Sequence, residues 1–193
     1  MTELVLPERP AVIYADPPWG WSQSGLHDRG SARTVEKEYA TMAAPRGHAA
    51  TEIEALPVAD CAADDAALFL WATGPKLPHA ISVMQAWGFT YKTIAFCWVK
   101  QNTKTPSLFW GMGFYTRANV ELCLVGTKGK GLKRKDAGVH QVVMSPVRIH
   151  SRKPDEVRER IERLYDGPYL ELFARERPEG WMVWGNEVPE EAA

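Results

Sequence analysis

An acidic residue, two prolines and a tryptophan follow one another at residues 16–19, in the sequence Asp-Pro-Pro-Trp. Each proline fixes its backbone φ angle and lacks an N–H donor, while its carbonyl oxygen remains available as an acceptor. Asp16 adds a charged acceptor, and Trp19 adds a flat apolar face. The four residues therefore predict a stiff corner of hydrogen-bond acceptors beside an aromatic ring, a combination that packing alone does not require.

Such a corner suits a base that carries an exocyclic amine. The two N–H groups of the amine can donate to the Asp16 carboxylate and to the Pro17 carbonyl, while Pro18 stiffens the loop. Trp19 can stack on the base, which is worth about 1–3 kcal/mol. These hydrogen bonds favour a tetrahedral nitrogen with a localised lone pair, and the carboxylate stabilises positive charge developing there. The motif thus predicts a site that makes the amine of a bound base more nucleophilic.

The alternative interpretation of the motif is a turn that packs Trp19 and Trp21 on the core.

The elements around this motif predict an α/β domain. Helical spacing of apolar residues indicates one helix capped by Thr73 and ending at Gly88. A second helix is predicted to begin at Pro154, with Gly167 just past its end. Alternation of strands and helices favours a mostly parallel sheet, whose ligands bind beyond the carboxyl ends of the strands. Apolar or alternating runs predict strands at residues 11–15, 66–73, 89–100, 120–127, 169–174 and 180–186, with a further short strand left open at 141–144.

A chain of 193 residues is long enough to form one domain with a sizeable core. We expect a single domain over residues 1–193, with its core from residue 9 to residue 187. Three flexible loops are expected, at about 20–50, 103–117 and 128–153. A Gly-Met-Gly sequence lies inside the second loop, but it follows no strand and lacks the third glycine of a phosphate-binding motif. Its aromatic neighbours and Arg117 predict either a wall that handles nucleic acid or a partner subunit, or a hydrophobic loop folded onto the core.

Composition indicates a soluble protein of the cytoplasm. Hydrophobic residues make up 45% of the chain and charged residues 24%, and the formal net charge is −1. No apolar run approaches the roughly 18 residues of a membrane span, and the first residues lack the pattern of a secretory signal. Three scattered cysteines, without a Cys-x-x-Cys spacing, predict a reduced compartment without a zinc site. We therefore expect no metal and no membrane partner.

Positive charge is concentrated in two segments. Residues 128–135 hold five cations in eight, and residues 148–153 hold three more. These segments predict either salt-sensitive contacts to phosphates or two solvated loops, and charge alone leaves both interpretations open.

The Asp-Pro-Pro-Trp motif resembles the active site of the adenine-N6 methyltransferases that share a DPPW sequence. This family includes the catalytic subunit of the eukaryotic mRNA adenosine methyltransferase and short bacterial and phage members. The resemblance extends from residue 11 to residue 187, and it implies a Rossmann-like class I methyltransferase fold, S-adenosylmethionine as donor and adenine in nucleic acid as acceptor. Further matches follow in the family's order: LFLWAT (68–73), ELCLVGTKG (121–129), HSRKPDEV (150–157), ELFAR (171–175) and WGNE (184–187).

Positions in these matches imply roles for individual residues. The catalytic group is Asp16, Pro17, Pro18 and Trp19. The residues expected to contact the substrate are Tyr39, Ser151, Arg152 and Lys153, together with Arg117 of the loop at 103–117. Residues expected to bind the cofactor are Asp16, Pro18, Lys153, Glu171, Phe173, Arg175, Asn186 and Glu187. Two departures from the family concern the cofactor, because only 15 residues precede Asp16 and because Pro178 replaces an asparagine.

We therefore expect an S-adenosylmethionine-dependent enzyme that methylates N6 of adenine, in DNA rather than RNA. An RNA methyltransferase is the first alternative, because no residue indicates a contact to the 2′-hydroxyl. A catalytically silent, nucleic-acid-binding partner subunit is the second, although such relatives usually lose the acidic residue that Asp16 supplies. Methylation of the cytosine amine is disfavoured, because those enzymes usually carry serine at this position. A homodimer or a second subunit is left open.

Overall fold

The computed structural model describes residues 4–19, 52–113, 115–148 and 152–188. The loop expected at 20–50 lies outside these residues. Within them, one sheet is flanked by three helices, α1 (Val58–Cys61), α2 (Leu77–Ala86) and α3 (Asp155–Leu164). The strands of the sheet are β1 (Val12–Ala15), β2 (Ala66–Ala72), β3 (Thr90–Gln101), β4 (Val120–Lys128), β5 (Val142–Pro146), β6 (Tyr169–Leu172) and β7 (Trp181–Trp184).

The strands lie in the order β5-β3-β4-β2-β1-β6-β7. Four pairings are parallel, namely β1–β2, β1–β6, β6–β7 and β3–β5, whereas β4 runs antiparallel to both β2 and β3. Among the described strands, β4 is reversed because the chain returns directly from β3 without a crossover helix. The expectation of a Rossmann-like, mostly parallel sheet flanked by helices is confirmed, with this one reversal added.

The helices differ from the sequence predictions in their starts. Thr73 stands at the predicted boundary, but its hydroxyl makes no capping hydrogen bond, and a 3-10 turn over Gly74–Lys76 precedes α2. The prediction of a Thr73 side-chain cap is therefore wrong. Pro154 precedes the first residue of α3 rather than occupying it. None of the helices in the described part of the chain has the length and apolar character that a bilayer crossing demands.

Alternation along the strands divides the core into two halves. One half, against α1 and α2, contains Ile13 and Leu70, while the other contains Tyr14 and Trp71 and packs against Val157 of α3. Successive side chains of a strand point to opposite faces, so each strand contributes to both halves. Residues in step with Tyr14 therefore point towards the α3 side of the sheet.

The reversed direction of β4 separates the basic segment 128–135 from Asp16. Asp16 follows the carboxyl end of β1, whereas residues 128–135 begin at the carboxyl end of β4, which lies at the opposite edge of the sheet. Lys128 Nζ donates to the Ala59 carbonyl oxygen at 2.6 Å, and Lys135 pairs with Asp166. This position favours the interpretation of 128–135 as a structural, solvated loop over a phosphate contact beside Asp16.

Candidate active site

Four charged side chains form a continuous chain of contacts at the carboxyl edge of β1. Lys153 Nζ lies 2.7 Å from Asp16 Oδ2 and 3.2 Å from Glu121 Oε2. Lys100 Nζ donates to the other oxygen of Glu121. Side-chain exposure is 9% for Lys153 and 10% for Glu121, compared with 23% for Asp16. We call these four residues the charge chain; it is nearly buried, and Asp16 is its most open member.

Strand alternation explains why these residues meet. Asp16, Glu121 and Lys100 each lie two residues from a buried residue on the α3 side of the sheet, namely Tyr14, Cys123 and Trp98. The same alternation continues to the ends of β3 and β4 and past the end of β1, so all three side chains point to one face. Lys153 enters from the segment before α3 and joins them.

Glu121 and Lys100 were not predicted as site residues. The sequence does contain a signal for them, because CWVK and VELC each place a charged residue in step with buried residues at a strand end. That signal becomes visible only once the sheet shows that β3 and β4 are neighbours at this edge.

The two lysines and two carboxylates fix each other's charge. Burial by itself disfavours the ammonium of Lys153, but Asp16 and Glu121 outweigh it and raise the Lys153 pKa. Burial likewise disfavours the Glu121 carboxylate, but Lys153 and Lys100 outweigh it and lower the Glu121 pKa. At neutral pH Lys153 is therefore a cation that donates hydrogen bonds and cannot accept a proton.

The two carboxylate oxygens of Asp16 differ in their contacts. Lys153 occupies Oδ2, and no donor among the described residues is paired with Oδ1. Among the described residues, Lys153 therefore engages one of the two carboxylate oxygens at this corner. The Lys153 ammonium also fixes the orientation of the Asp16 carboxylate, whereas an aspartate without such a contact can rotate.

The Pro17–Trp19 turn is closed by its own hydrogen bonds. The Trp19 backbone N–H donates to the Pro17 carbonyl at 2.8 Å, and the Trp19 indole N–H donates to the Trp71 carbonyl at 2.9 Å. Trp71 in turn donates to the Tyr14 hydroxyl at 2.7 Å. The Pro17 carbonyl retains a second lone pair. The turn is thus anchored to the end of β2, and Trp19 packs partly buried against the core.

Two buried polar atoms that flank β1 make no hydrogen bond to the described residues, although Arg158 Nη1 lies 3.6 Å from one of them, Glu171 Oε2. Thr73 follows β2, Glu171 lies on β6, and these strands are the neighbours of β1 on either side. Thr73 Oγ1 and Glu171 Oε2 have no hydrogen-bond partner among the described residues. Because unpaired buried polar atoms are uncommon and costly, this pair fits a site whose ligand supplies the missing partners.

Other predicted cofactor residues surround the end of β6. Phe173 adopts a positive φ of 61° directly after β6, and its ring lies 5.7 Å from that of Trp184. Arg175 Nε lies 3.4 Å from Glu187 Oε2, and Asn186 is exposed beside them. A guanidinium suits a carboxylate, whereas an amide and a carboxylate suit ribose hydroxyls. The side chains of Arg175, Asn186 and Glu187 therefore fit the carboxylate and the ribose of S-adenosylmethionine.

The remaining predicted site residues lie elsewhere. Arg152 points away from the charge chain and pairs with Asp155 at 3.1 Å and Glu176 at 2.9 Å, in a groove of about 340 Å³ that Pro178 also lines. Arg117 is exposed on the loop between β3 and β4. Tyr39 and Ser151 lie outside the described residues. The structure thus brings Asp16 and Lys153 together but not Arg152 or Arg117.

Glu171 yields a pH-dependent prediction. Burial raises its pKa to about 7, against the opposing effect of Arg158, whose nitrogen lies 3.6 Å away. Because the folded pKa exceeds the ordinary value of 4.5, protonated Glu171 favours the folded state, and this contribution is lost as the pH rises through 7. Glu171→Gln should therefore gain roughly 2–3 kcal/mol of unfolding free energy over the wild type between pH 5 and pH 8.

Urea unfolding at the two pH values measures this difference, and the exposed Glu8→Gln is the matched control. Equal effects of Glu171→Gln at pH 5 and at pH 8 would contradict the assignment of Glu171 as a carboxyl that burial keeps protonated.

A Rossmann-like sheet, with an acidic DPPW corner at the carboxyl end of β1, defines a methyltransferase. In comparisons with known proteins, residues 10–187 match the MT-A70 family. The chain therefore belongs to the MT-A70 family.

Its relatives include bacterial and eukaryotic proteins. Type II methyltransferase M.MunI from Mycoplasma sp is 33% identical over 194 residues, which cover 93% of this chain and 78% of that protein. The human N(6)-adenosine-methyltransferase catalytic subunit METTL3 is 31% identical over 182 residues, which cover 92% of this chain and 28% of that protein. A Drosophila melanogaster MT-A70-like protein is 32% identical over 182 residues, with 92% and 27% covered. The chain thus spans most of the bacterial relative but about a quarter of the eukaryotic ones.

Proposed function

We propose that this protein transfers a methyl group from S-adenosylmethionine to N6 of adenine in DNA. The observation that carries the proposal is the Asp16 carboxylate, which Lys153 holds by one oxygen while the other remains available to an amine. The extent of the match to M.MunI, named a type II methyltransferase, supports DNA as the acceptor.

Asp16 and Pro17 bind the amine in this proposal. Asp16 Oδ1 and the second lone pair of the Pro17 carbonyl accept the two N–H groups, and Trp19 packs against the base. The target base leaves its stack, at a cost of a few kcal/mol in duplex DNA. Because Lys153 and the Trp19–Trp71 hydrogen bond fix these acceptors beforehand, binding also orients the nitrogen lone pair, which is a large source of rate.

The Asp16 carboxylate also stabilises the positive charge that forms on the amine during the reaction. Positive charge develops on N6 as it is alkylated, and the negative charge of Asp16 lies where that charge appears. Lys153 stays protonated because its pKa is raised, so it does not take the proton that the nitrogen then releases. Asp16 Oδ1 is the acceptor in reach of that proton, and solvent at the exposed side of Asp16 can receive it afterwards.

In this proposal, residues at the carboxyl ends of β2, β1, β6 and β7 would hold the donor. Arg175 would hold its carboxylate, and Asn186 and Glu187 would hold its ribose hydroxyls. Glu171 and Thr73 would offer buried oxygens that make no hydrogen bond to the described residues. Pro18, Lys153 and Phe173 would complete the binding surface. Bound there, S-adenosylmethionine would supply an electrophilic methyl carbon, whose bond to sulfur would break as the bond to N6 forms, so that S-adenosylhomocysteine leaves as a neutral thioether. No metal enters the proposal.

RNA is the second candidate acceptor. The observation that favours it is the similarity to eukaryotic proteins named N(6)-adenosine-methyltransferases, at 31% identity for the human protein. These relatives are covered only in part, whereas M.MunI is covered over 78% of its length, so DNA remains the preferred acceptor.

An assay with mixed substrates distinguishes the acceptors. The protein is incubated with DNA and RNA oligonucleotides of equal sequence and labelled S-adenosylmethionine, and the digested nucleosides are analysed by mass spectrometry. We expect N6-methyl-2′-deoxyadenosine, in large excess over the ribonucleoside. The ribonucleoside alone would establish the RNA candidate. Absence of methylated nucleoside, from folded protein that binds the donor, would indicate a silent partner subunit and contradict the proposal.

A further inference from the structure

Between β3 and β4, the described residues 102–113 and 115–119 form a loop that we call the aromatic hairpin. The Gly111 N–H donates to the Ala118 carbonyl at 3.0 Å, and the Phe109 N–H donates to the Lys100 carbonyl at 2.9 Å. A Cβ atom on Gly111 would lie 2.1 Å from the Ala118 oxygen, and one on Gly113 would lie 2.1 Å from a neighbouring carbonyl. Glycine is therefore required for the two arms to approach, and the hairpin has a defined shape.

Large side chains of the aromatic hairpin are exposed to solvent. The exposed fraction is 73% for Trp110, 84% for Met112 and 101% for Tyr115. Trp110 and Met112 are in step with Leu108, which is 41% exposed, so one arm presents apolar side chains at every second position. The interpretation of this segment as a loop folded onto the core is wrong for these residues. An exposed apolar patch of this kind marks a binding surface.

The charges of the hairpin indicate what it binds. Between Gln101 and Val120 the sequence contains Lys104 and Arg117 and no acidic residue. Both cations are exposed, and neither is ion-paired with another residue in the described part of the chain. Surfaces that bind single-stranded nucleic acid combine aromatic rings for stacking with cations for the phosphates. Protein interfaces share the aromatic residues, but their cores are depleted of charge.

The hairpin also stands next to the proposed acceptor site. Its two ends meet at Lys100 and Glu121, which form the far end of the charge chain that leads through Lys153 to Asp16. β4 lies two strand positions from β1, which is about 10 Å at the usual strand spacing. A nucleic-acid strand whose adenine sits on Asp16 therefore has its neighbouring nucleotides within reach of the hairpin.

We propose that Trp110 and Tyr115 stack on unpaired bases that flank the target adenine, while Lys104 and Arg117 contact the adjoining phosphates. The inference rests on the proposed function and adds to it a preference for a locally single-stranded acceptor. Stacking is tolerant of sequence, because every base has an aromatic face. The hairpin therefore binds the nucleic-acid strand without recognising its base sequence.

Binding of a fluorescein-labelled, single-stranded DNA 12-mer with one adenine among thymines tests this proposal, with fluorescence anisotropy as the readout. Trp110→Ala and Tyr115→Ala should each raise Kd by about 5- to 150-fold, as expected for the loss of one stacked base. Trp110→Phe should stay close to the wild type, because a phenyl ring still stacks. Met144→Ala is the matched control, since Met144 is 56% exposed on β5 outside the hairpin.

The outcomes separate this inference from the proposed function. Unchanged DNA affinity in Trp110→Ala and Tyr115→Ala, or no binding by the wild type, would overturn the stacking surface. A wild-type dimer that Trp110→Ala converts to a monomer, in light scattering, would show a protein interface instead. Trp110-dependent binding by a wild type that methylates no oligonucleotide would support the hairpin and refute the proposed function. Thermal melts and S-adenosylmethionine binding, expected to be unchanged, confirm that the variants are folded.

Discussion

Asp16→Asn is expected to lower the rate of methyl transfer by at least about 10²–10³-fold, the usual cost of removing one group that stabilises transition-state charge. The amide loses the negative charge, and one of its two ends becomes a donor facing the donors of the target amine. The fold should survive, because Asp16 lies at a partly exposed strand end and Lys153 retains Glu121 as a partner. The variant therefore separates chemistry from folding.

Transfer of a tritiated methyl group measures this effect, with calorimetry for S-adenosylmethionine affinity and a thermal melt for the fold. Asp64→Asn is the matched control, because Asp64 is 89% exposed and pairs only with Arg9 among the described residues. A folded Asp16→Asn protein that retains more than about a tenth of the wild-type rate would remove Asp16 from the proposed mechanism.

Glu121→Ala should have the largest effect on stability, roughly 3–5 kcal/mol, which corresponds to a fall in Tm of roughly 6–20 °C. The substitution leaves the ammonium of Lys100, which is 17% exposed, without its described carboxylate partner. It also removes one of the two described carboxylates that contact Lys153. Breaking one side of a nearly buried ion pair costs more than removing both sides, because the remaining charge is uncompensated. Thermal melts of the single variant give the loss directly.

A double variant distinguishes a structural role for Glu121 from a positioning role. Lys100→Met combined with Glu121→Gln removes both charges of the pair, so it should recover at least half of the lost stability. If Glu121 also orients Lys153, and through it Asp16, this stable double variant should still be slow in kcat while its KM stays near the wild-type value. Recovery of kcat together with Tm would show that Glu121 serves folding alone.

The sequence allowed part of this site to be predicted, and the physical reason differs from residue to residue. Asp16 was predictable because an apolar strand followed directly by Asp-Pro-Pro-Trp places a carboxylate at a strand end. Lys153 was predicted only through the family resemblance, since a lysine before a helix usually faces solvent. Glu121 and Lys100 were missed because their contacts cross between strands whose order a single sequence does not specify.

The errors elsewhere have related causes. The short helix α1, Val58–Cys61, is too brief to show a helical period. The Thr73 hydroxyl was predicted to cap a helix, but the 3-10 turn satisfies the local backbone through the Lys76 N–H instead. The basic segment 128–135 could not be assigned to an edge of the sheet until the direction of β4 was known. Local patterns thus predicted elements, whereas strand direction decided which elements meet.

A crystal structure with a bisubstrate analogue, in which adenine N6 is joined to the nucleoside of the donor, tests most directly how the amine is held. The structure predicts adenine N6 at about 2.7–3.2 Å from Asp16 Oδ1, with Lys153 Nζ still on Oδ2. An N6 atom that contacts other residues while both Asp16 oxygens face Lys153 would contradict the proposed mechanism.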